Sequence, residues 1–287
     1  MWTEIDARIS EAISHSFESR DRRSVGGGCI NQGYRISDSD RTFFVKLNRA
    51  DQLAMFEAEA IGLQQMRETQ TILIPKPICF GISDRSSYIV LEWLDLGRGT
   101  SQSWAEMGRQ LARMHQFRKA TAFGWERDNT IGSTPQINTW TSDWSQFFTQ
   151  HRIGYQLHLG EQNGGRFRNG ERLLSVIPEI LDHAPQPAIV HGDLWSGNAA
   201  VTQSGQPVIF DPATYWSDRE VDLAMTELFG GFPSEFYRGY NEVFPLDSGY
   251  QNRKTLYNLY HILNHFNLFG GSYESQANRM IDQILSK

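Results

Sequence analysis

The residues best suited to chemistry lie in segment 191–198, which reads His-Gly-Asp-Leu-Trp-Ser-Gly-Asn and follows a short apolar run. The segment has the H-x-D-x-x-x-x-N spacing of a phosphotransferase catalytic loop. In such a loop a carboxylate orients the acceptor hydroxyl and takes its proton, and an amide oxygen binds a metal ion. We therefore predict Asp193 as the catalytic base and Asn198 as a metal ligand, although a lone aspartate before leucine is more often a turn residue.

A second carboxylate follows the loop. Asp211 comes 13 residues after Asn198, at the end of the β-rich run 208–210. A carboxylate there can bind Mg²⁺ that bridges the phosphates of a nucleotide, as the aspartate of a D-F-G motif does. The tripeptide here is Asp-Pro-Ala, and we predict Asp211 as a second metal ligand. The offsets that join Asp193, Asn198 and Asp211 favour catalysis over a simple turn.

A glycine cluster lies between two predicted strands near the N-terminus and comprises Gly26, Gly27 and Gly28. Because glycines let backbone N–H groups approach phosphates without a Cβ clash, the cluster predicts a phosphate clamp. The G-x-G-x-x-G spacing of dinucleotide-binding folds fails at Asn31. The next residue, Cys29, lies among N–H donors that could favour a redox-sensitive thiolate, and an inert small residue is an equally good interpretation.

Lys46 lies inside a strand-like apolar segment, so its ammonium group needs a partner. Glu59, on the helix predicted next, can pair with Lys46 and hold it toward the α and β phosphates. Glu57 is the competing partner, but two positions away on a helix it points to another side. We prefer Glu59 because it lies closer to the apolar face of that helix.

The last strand of the first part of the chain closes with Glu92, Trp93 and Leu94. Their backbone carbonyl and N–H groups could read the edge of an adenine, which requires no particular side chain. Segment 95–100 follows and contains Gly97 and Gly99, so we predict it as the linker between two lobes.

Apolar periodicity divides the chain into a β-rich first part and a mainly helical second part. Ser103 with Glu106 forms a capping box that would open the first helix of the second part. The prediction is a two-lobed α+β fold, with an N-lobe over residues 1–95 and a C-lobe over residues 96–287. The predicted elements are helices over 5–17 and 53–66, strands within 24–47 and 87–94, and short strands at 188–190 and 208–210.

Two clusters have simpler interpretations than chemistry. His261 and His265 lie four residues apart without the glutamate of H-E-x-x-H, which favours helix-face or substrate-pocket histidines over a zinc site. An aromatic cluster is predicted to lie in the core, and it comprises Trp140, Trp144, Phe147 and Phe148.

Composition excludes several classes of protein. The 287 residues include 27 Lys and Arg against 33 Asp and Glu, a net charge of -6 that offers no broad surface for nucleic acid. No run approaches the roughly 18 apolar residues of a membrane helix. Two cysteines cannot form a disulfide framework, and the N-terminus does not read as a signal peptide, so we expect a cytoplasmic protein.

Together these motifs resemble the protein kinase-like fold, and within its aminoglycoside and small-molecule kinase branch the chain is similar to the fructosamine kinase (ketosamine kinase) family. The resemblance extends over nearly the whole chain. It is carried by segments 26–30, 56–59, 123–125, 129–132, 135–138, 191–198, 211–213 and 219–225.

The resemblance implies ATP-dependent phosphorylation of a sugar hydroxyl on a ketosamine, with the 3-hydroxyl as the usual acceptor. The 3-phosphate then promotes loss of the sugar from the amine, which is deglycation and would repair a protein or small molecule. It implies the base position for Asp193, metal positions for Asn198 and Asp211, and a phosphate-clamp pair for Lys46 and Glu59. Trp195, beside the base, is a plausible platform for the sugar or its amine.

The same resemblance favours a modifiable thiol at Cys29, because a cysteine recurs in this loop in the family. The protein would then be a monomer or a Cys29-linked dimer. The charged segment 218–222 would brace the catalytic loop. Two alternatives stay open: a kinase for an aminoglycoside, choline or another amino alcohol, and a nucleotide-binding pseudokinase scaffold, against which the intact catalytic set argues.

Overall fold

A computed structural model describes residues 1–26 and 30–286. Its first part contains α1 (Trp2–Ile13), β1 (Asp21–Val25), β2 (Gln32–Ser37), β3 (Thr42–Arg49), α2 (Leu53–Glu68), β4 (Pro77–Ser83) and β5 (Ser86–Glu92). Its second part contains β6 (Leu96–Gly97), α3 (Ser101–Gln116), β7 (Asn129–Ile131), β8 (Thr134–Gln136), α4 (Trp144–Phe148), α5 (Tyr155–Gln162), α6 (Gly170–Ile180), β9 (Ala188–Val190), β10 (Ala199–Thr202), β11 (Pro207–Ile209), β12 (Tyr215–Ser217), α7 (Glu220–Leu228), α8 (Ser234–Val243), α9 (Tyr250–Phe269) and α10 (Tyr273–Leu285).

The strands of the first part form one antiparallel sheet in the order β1-β2-β3-β5-β4. The predicted fold class, a β-rich N-terminal part followed by a mainly helical part, is confirmed. The helices of the second part include none that is long and apolar enough to cross a membrane, over the residues that the structure describes.

Strand alternation decides which face of the sheet meets the rest of the molecule. Successive side chains of a strand point to opposite faces. In β5, Tyr88 and Val90 pack with α1, whereas Ile89 and Leu91 belong to the large core that extends into the helical part. In β3 the same alternation places Val45 on the α1 side, so Lys46 points toward α2.

Two predicted helix boundaries are wrong. Helix α1 ends at Ile13 rather than at residue 17, because Ser14 adopts a left-handed conformation, yet Phe17 still packs with Ile9 in the core of the sheet. Helix α3 begins at Ser101, and its N-cap is Thr100, whose side chain accepts the backbone N–H of Ser103. The capping box therefore lies one turn earlier than the predicted one.

The predicted linker is itself partly paired. Within it, β6 pairs with β10, the strand that directly follows segment 191–198. Gln203 also donates its backbone N–H to the carbonyl of Asp95. Of the predicted aromatic core, Trp144, Phe147 and Phe148 are buried, but Trp140 is 47% exposed and that part of the prediction is wrong.

Helices α3 and α8 cross at very short range, at Gly108 and Gly239. A Cβ at either position would clash with a backbone carbonyl of the other helix. This approach brings His115 of α3 within hydrogen-bond distance, 2.8 Å, of the hydroxyl of Tyr240 on α8. The close crossing thereby positions His115, whose other ring nitrogen lies 3.1 Å from a carboxylate oxygen of Asp222.

Candidate active site

A buried carboxylate holds the start of the catalytic loop. Asp222 on α7 accepts the backbone N–H groups of His191 at 2.8 Å and of Gly192 at 2.9 Å. Its third partner is Nε2 of His115, at 3.1 Å. Gly192 adopts a positive φ of 80°, a conformation that glycine takes without strain. The expectation that the 218–222 segment braces the loop is confirmed for Asp222.

The protonation states in this network follow from burial. Desolvation alone would raise the pKa of Asp222, but its hydrogen bond with His115 and the neighbouring imidazoles lower it below the ordinary range. Burial lowers the pKa of His115. A neutral His115 that donates from Nε2 to an ionised Asp222 and accepts from Tyr240 at Nδ1 satisfies all of these groups.

His191 supports the loop from within, as predicted. Its Nε2 lies 2.9 Å from the carbonyl of Phe210, and its Nδ1 lies 3.2 Å from the backbone nitrogen of Asp193. A neutral ring that donates at Nε2 and accepts at Nδ1 fits both contacts, and burial lowers the pKa of His191 accordingly. This ring therefore links the catalytic loop to the strand end that precedes Asp211.

Asp193 lies in the cleft behind this brace. The Nδ2 group of Asn198 donates to the backbone carbonyl of Asp193 at 2.8 Å and approaches its carboxylate at 3.3 Å. Burial, followed by the negative charge of Asp211, raises the pKa of Asp193 to about 7, and the hydrogen bond from Asn198 opposes this shift. A carboxyl group with a pKa near neutrality is suited to exchange a proton with a bound hydroxyl.

Lys46 joins both halves of the site. Its Nζ lies 2.7 Å from Oε1 of Glu59 and 2.6 Å from Oδ1 of Asp211. Desolvation works against its charge, but the two carboxylates raise its pKa above the ordinary value, so Lys46 is an ammonium. Glu57 instead bonds to Arg127 at 2.8 Å. The preferred partner, Glu59, is therefore the observed one.

The arrangement around Asp211 suits a hard cation. Asp211 has a left-handed φ of 62°, its side chain is half exposed in the cleft, and only its Oδ1 bonds to Lys46. The amide nitrogen of Asn198 is directed at Asp193 and at the carbonyl of Asp211, which leaves its amide oxygen for another partner. Carboxylate and amide oxygens are the ligands that Mg²⁺ prefers, so these residues fit the predicted metal.

One cleft of about 970 Å³ connects these groups. Gly26 opens onto it, with no atom near the position of a Cβ. Gly27, Gly28 and Cys29 lie outside the described residues, so their predicted roles stay predictions. The cleft brings together most of the predicted site residues, which are Gly26, Lys46, Glu59, Glu92, Trp93, Leu94, Asp193, Trp195, Asn198 and Asp211.

The sequence analysis did not predict two walls of the cleft, apart from the substrate-pocket interpretation of His261 and His265. One is the β7–β8 hairpin, which contributes segment 129–132, and the other is α9, which contributes His261, Asn264 and His265. His261 Nδ1 lies 4.0 Å from Oδ1 of Asp193. Segment 129–132 carried a family resemblance but no spacing that indicates chemistry, so only packing reveals it. For His261 the substrate-pocket interpretation agrees with its position.

The burial of His261 can be tested by measuring how the free energy of unfolding depends on pH. Desolvation, followed by repulsion from His265, lowers its pKa from 6.5 to about 3. In the unfolded chain the imidazole of His261 binds a proton as the pH drops below about 6.5, whereas in the folded chain it stays neutral. His261 therefore lowers the free energy of unfolding as the pH drops below about 6.5. Between pH 7.5 and 5.5 the free energy of unfolding, measured in urea, should fall by about 1.4 kcal/mol more in the native protein than in His261→Asn.

His15→Asn is the control for the exchange of a histidine for an asparagine, because His15 is exposed and lies outside the cleft. If His261→Asn retains the full native pH dependence, His261 does not resist protonation in the folded protein.

The whole sequence, residues 1–287, matches the family described as "Fructosamine kinase". The chain belongs to the fructosamine kinase family. It is 55% identical over 285 residues to a "Probable ketoamine kinase" of Synechocystis sp., a match that covers 99% of this chain and 97% of the relative. It is 46% identical over 268 residues to the chloroplastic protein-ribulosamine 3-kinase of Arabidopsis thaliana, covering 91% of this chain and 82% of the relative.

Solved structures agree with this membership. The crystal structure of a "Putative fructosamine-3-kinase" from Haemophilus somnus has a TM-score of 0.93 at 33% identity and covers 99% of this chain and 98% of that one. An aminoglycoside phosphotransferase in complex with AMP-PNP and hygromycin B has a TM-score of 0.64 at 14% identity, covering 99% and 98%. That second likeness shows only that this chain shares the fold of the aminoglycoside phosphotransferase.

Proposed function

We propose that this member of the fructosamine kinase family is an ATP-dependent kinase that phosphorylates the 3-hydroxyl of ketosamines and so initiates their deglycation. The single observation that carries the proposal is the joining of Lys46, Glu59 and Asp211 by two short ion pairs in the cleft that also holds Asp193. The names of the relatives, ketoamine kinase and ribulosamine 3-kinase, support the substrate class.

Each residue of the cleft has its own role in the proposed reaction. Asp193 orients the acceptor hydroxyl and accepts its proton, while His191 and Asp222 hold the loop that carries it. Lys46, fixed by Glu59, binds the α and β phosphates, and the backbone of 92–94 binds the adenine edge. Asn198 and Asp211 would hold Mg²⁺, which supplies charge neutralisation along the triphosphate. Residues 1–95 form the N-lobe and residues 96–287 the C-lobe around this cleft.

The test is an acceptor screen with ATP and Mg²⁺. Fructosyl-lysine, ribulosyl-lysine, kanamycin and choline are compared by ADP release, and NMR identifies the phosphorylated carbon. We expect turnover with the ketosamines and phosphate on carbon 3. Turnover with kanamycin or choline alone would establish the alternative amino-alcohol kinase, and no turnover with any acceptor would favour a pseudokinase. A cytoplasmic location, a monomeric or Cys29-linked dimeric state and a redox role for Cys29 stay predictions.

Glu59→Gln should lower kcat/KM for ATP by about 10- to 100-fold, because a charge-assisted bond to Lys46 is lost and Lys46 is then drawn to Asp211 alone. Glu57→Gln is the matched control on the same helix, since it removes only a partly exposed pair with Arg127 and should change kcat/KM by about threefold at most. Steady-state kinetics with varied ATP measures both. Equal effects in the two variants would contradict the assignment of Glu59.

Trp195→Ala should raise the KM for the ketosamine by about tenfold, because the indole ring is 37% exposed at the cleft and offers an apolar face to the sugar or its amine. Trp140→Ala is the matched control, since Trp140 is 47% exposed but lies outside the cleft. An unchanged KM in Trp195→Ala would remove the platform role.

A further inference from the structure

Arg152 is a fully buried cation whose environment lacks a counter-charge. Its guanidinium donates to the carbonyl of Ile137 at 2.6 Å and to Oδ1 of Asn138 at 2.7 Å, and it stacks 4.0 Å from the ring centre of Tyr215. Over residues 1–26 and 30–286, the hydrogen bonds of Arg152 go to backbone carbonyls and to Asn138 rather than to a carboxylate, and its Nε has no hydrogen-bond partner. Burying a cation in this way is costly, so the contacts that it makes need an explanation.

The local backbone departs from regular structure at the same place. Arg152 lies in a π-helical turn, Thr149–Gly154, between α4 and α5. Such turns are rare and occur frequently at functional sites. The charge is held by hydrogen bonds and by aromatic rings rather than by a carboxylate. Such a buried charge, together with an irregular helix, is a departure from the usual rules of the kind that natural proteins make at functional sites.

The contacts of Arg152 lead to the segment that follows Asp211. Asn138, which Arg152 holds, donates from Nδ2 to Oδ1 of Asn129 at 2.8 Å. Asn129 in turn donates to the carbonyl of Thr214 at 2.9 Å. Gln136 donates to the same Oδ1 of Asn129 at 2.9 Å and to the carbonyl of Ala213 at 3.1 Å. The β7–β8 hairpin is thus attached by side-chain amides to the backbone two and three residues after the predicted metal ligand.

The hairpin also forms the wall of the cleft nearest α9. Residues 129–132 line the cleft, and Asn264 of α9 donates to the carbonyl of Ile131 at 3.4 Å. One turn before Asn264, His261 lies 4.0 Å from Asp193. In the proposed function, Lys46 and the 92–94 backbone bind the nucleotide on the sheet side. That assignment leaves the hairpin and α9 as the walls available to the acceptor.

We propose that Arg152, acting through Asn138 and Asn129, is a positioning residue that fixes the β7–β8 hairpin as the wall against which the polyol chain of the ketosamine lies. This inference rests on the proposed function. The relay holds the hairpin to the backbone that follows Asp211. A fixed hairpin keeps the acceptor hydroxyl within hydrogen-bond distance of Asp193. Over the described residues no hydrogen bond joins Arg152, Asn138 or Asn129 to Lys46 or to the backbone of 92–94, the groups assigned to the nucleotide.

The decisive variant is Asn138→Asp. The new carboxylate can still accept from Arg152, but it cannot donate to Asn129, whose amide oxygen then faces a second hydrogen-bond acceptor. We expect kcat/KM for the ketosamine to fall by about 100-fold, the effect of displacing a reactant by about 1 Å, while the KM for ATP changes by about twofold at most. Steady-state kinetics in which each substrate is varied in turn measures the two values separately.

Asn278→Asp is the matched control. Asn278 is also buried, accepts from the backbone of Arg168 and donates to the carbonyls of Arg166 and Glu274, but it does not line the cleft. Its substitution should lower the melting temperature without separating the two kinetic constants. If both asparagine variants lose ketosamine kcat/KM equally, the network acts on the fold alone and the proposal is overturned.

Arg152→Met provides a second, independent variant that keeps the volume and removes the charge. It should show the same selective loss toward the ketosamine, and a KM for ATP that rises in parallel would overturn the proposal. If circular dichroism shows that neither Arg152→Met nor Asn138→Asp folds, the relay serves the fold and the proposal also fails. Failure of the native enzyme to phosphorylate any ketosamine, by contrast, would reject the proposed function itself.

Discussion

Asp193→Asn should lower kcat for ketosamine phosphorylation by about 10²- to 10⁴-fold, the range associated with a positioned general base. Asparagine keeps the size of the side chain but cannot accept the proton of the acceptor hydroxyl. The loop should remain in place, because Asn198 bonds to the backbone carbonyl of residue 193 and Asp222 holds the preceding N–H groups. Single-turnover kinetics with saturating ATP measures the chemical step directly.

The KM for ATP identifies the step that is affected. It should stay within about twofold of the native value in Asp193→Asn, since the phosphates are assigned to Lys46 and not to the base. Asp143→Asn is the matched control: asparagine is also a good N-cap for α4, and kcat should not change. An Asp193→Asn enzyme with native kcat on every acceptor would refute the assignment of the base.

Asp222→Ala should lower the free energy of unfolding by about 3–5 kcal/mol, because one substitution leaves several buried donors without an acceptor. The donors are the N–H groups of His191 and Gly192 and the ring of His115. Asp222 is fully buried, so water cannot replace the lost carboxylate. Urea denaturation followed by tryptophan fluorescence measures this loss, and the melting temperature should fall by about 10 °C.

Another carboxylate of the same helix controls for general effects on α7. Glu227 is partly exposed, pairs with Lys254 and accepts the hydroxyl of the buried Tyr250. Glu227→Gln keeps an acceptor for that hydroxyl, so it should cost only about 1 kcal/mol. A loss of stability in Asp222→Ala no larger than in Glu227→Gln would show that the catalytic loop does not depend on the buried brace.

Much of the catalytic segment could be predicted from the sequence because its geometry is local. The five-residue offset from Asp193 to Asn198 fits one loop, and a side-chain hydrogen bond closes it. Strand alternation similarly decides that Lys46 and Val45 lie on opposite faces of the sheet. For the same reason Glu59 could be preferred over Glu57 from helix geometry alone.

Boundaries and exposure were less predictable. Segment 5–17 has a helical apolar period, yet the helix ends at Ile13 because a left-handed Ser14 turns the chain while Phe17 keeps its place in the core. Trp140 is an aromatic residue of the type usually buried in a core, but it lies at the surface. The spacing of apolar residues indicates which side chains favour burial. The residue at which a helix ends depends instead on the surfaces against which the helix packs.

The sequence by itself determined which residue types the site contains, and from type and short spacing it predicted a base, two oxygen ligands and a paired lysine. Only the tertiary structure decided that Lys46 bonds to Asp211, 165 residues away, and that the β7–β8 hairpin and α9 form walls of the same cleft. The physical reason is that hydrogen-bond geometry within a loop depends on a few backbone angles. Contacts between distant segments depend instead on how all the apolar faces are buried together.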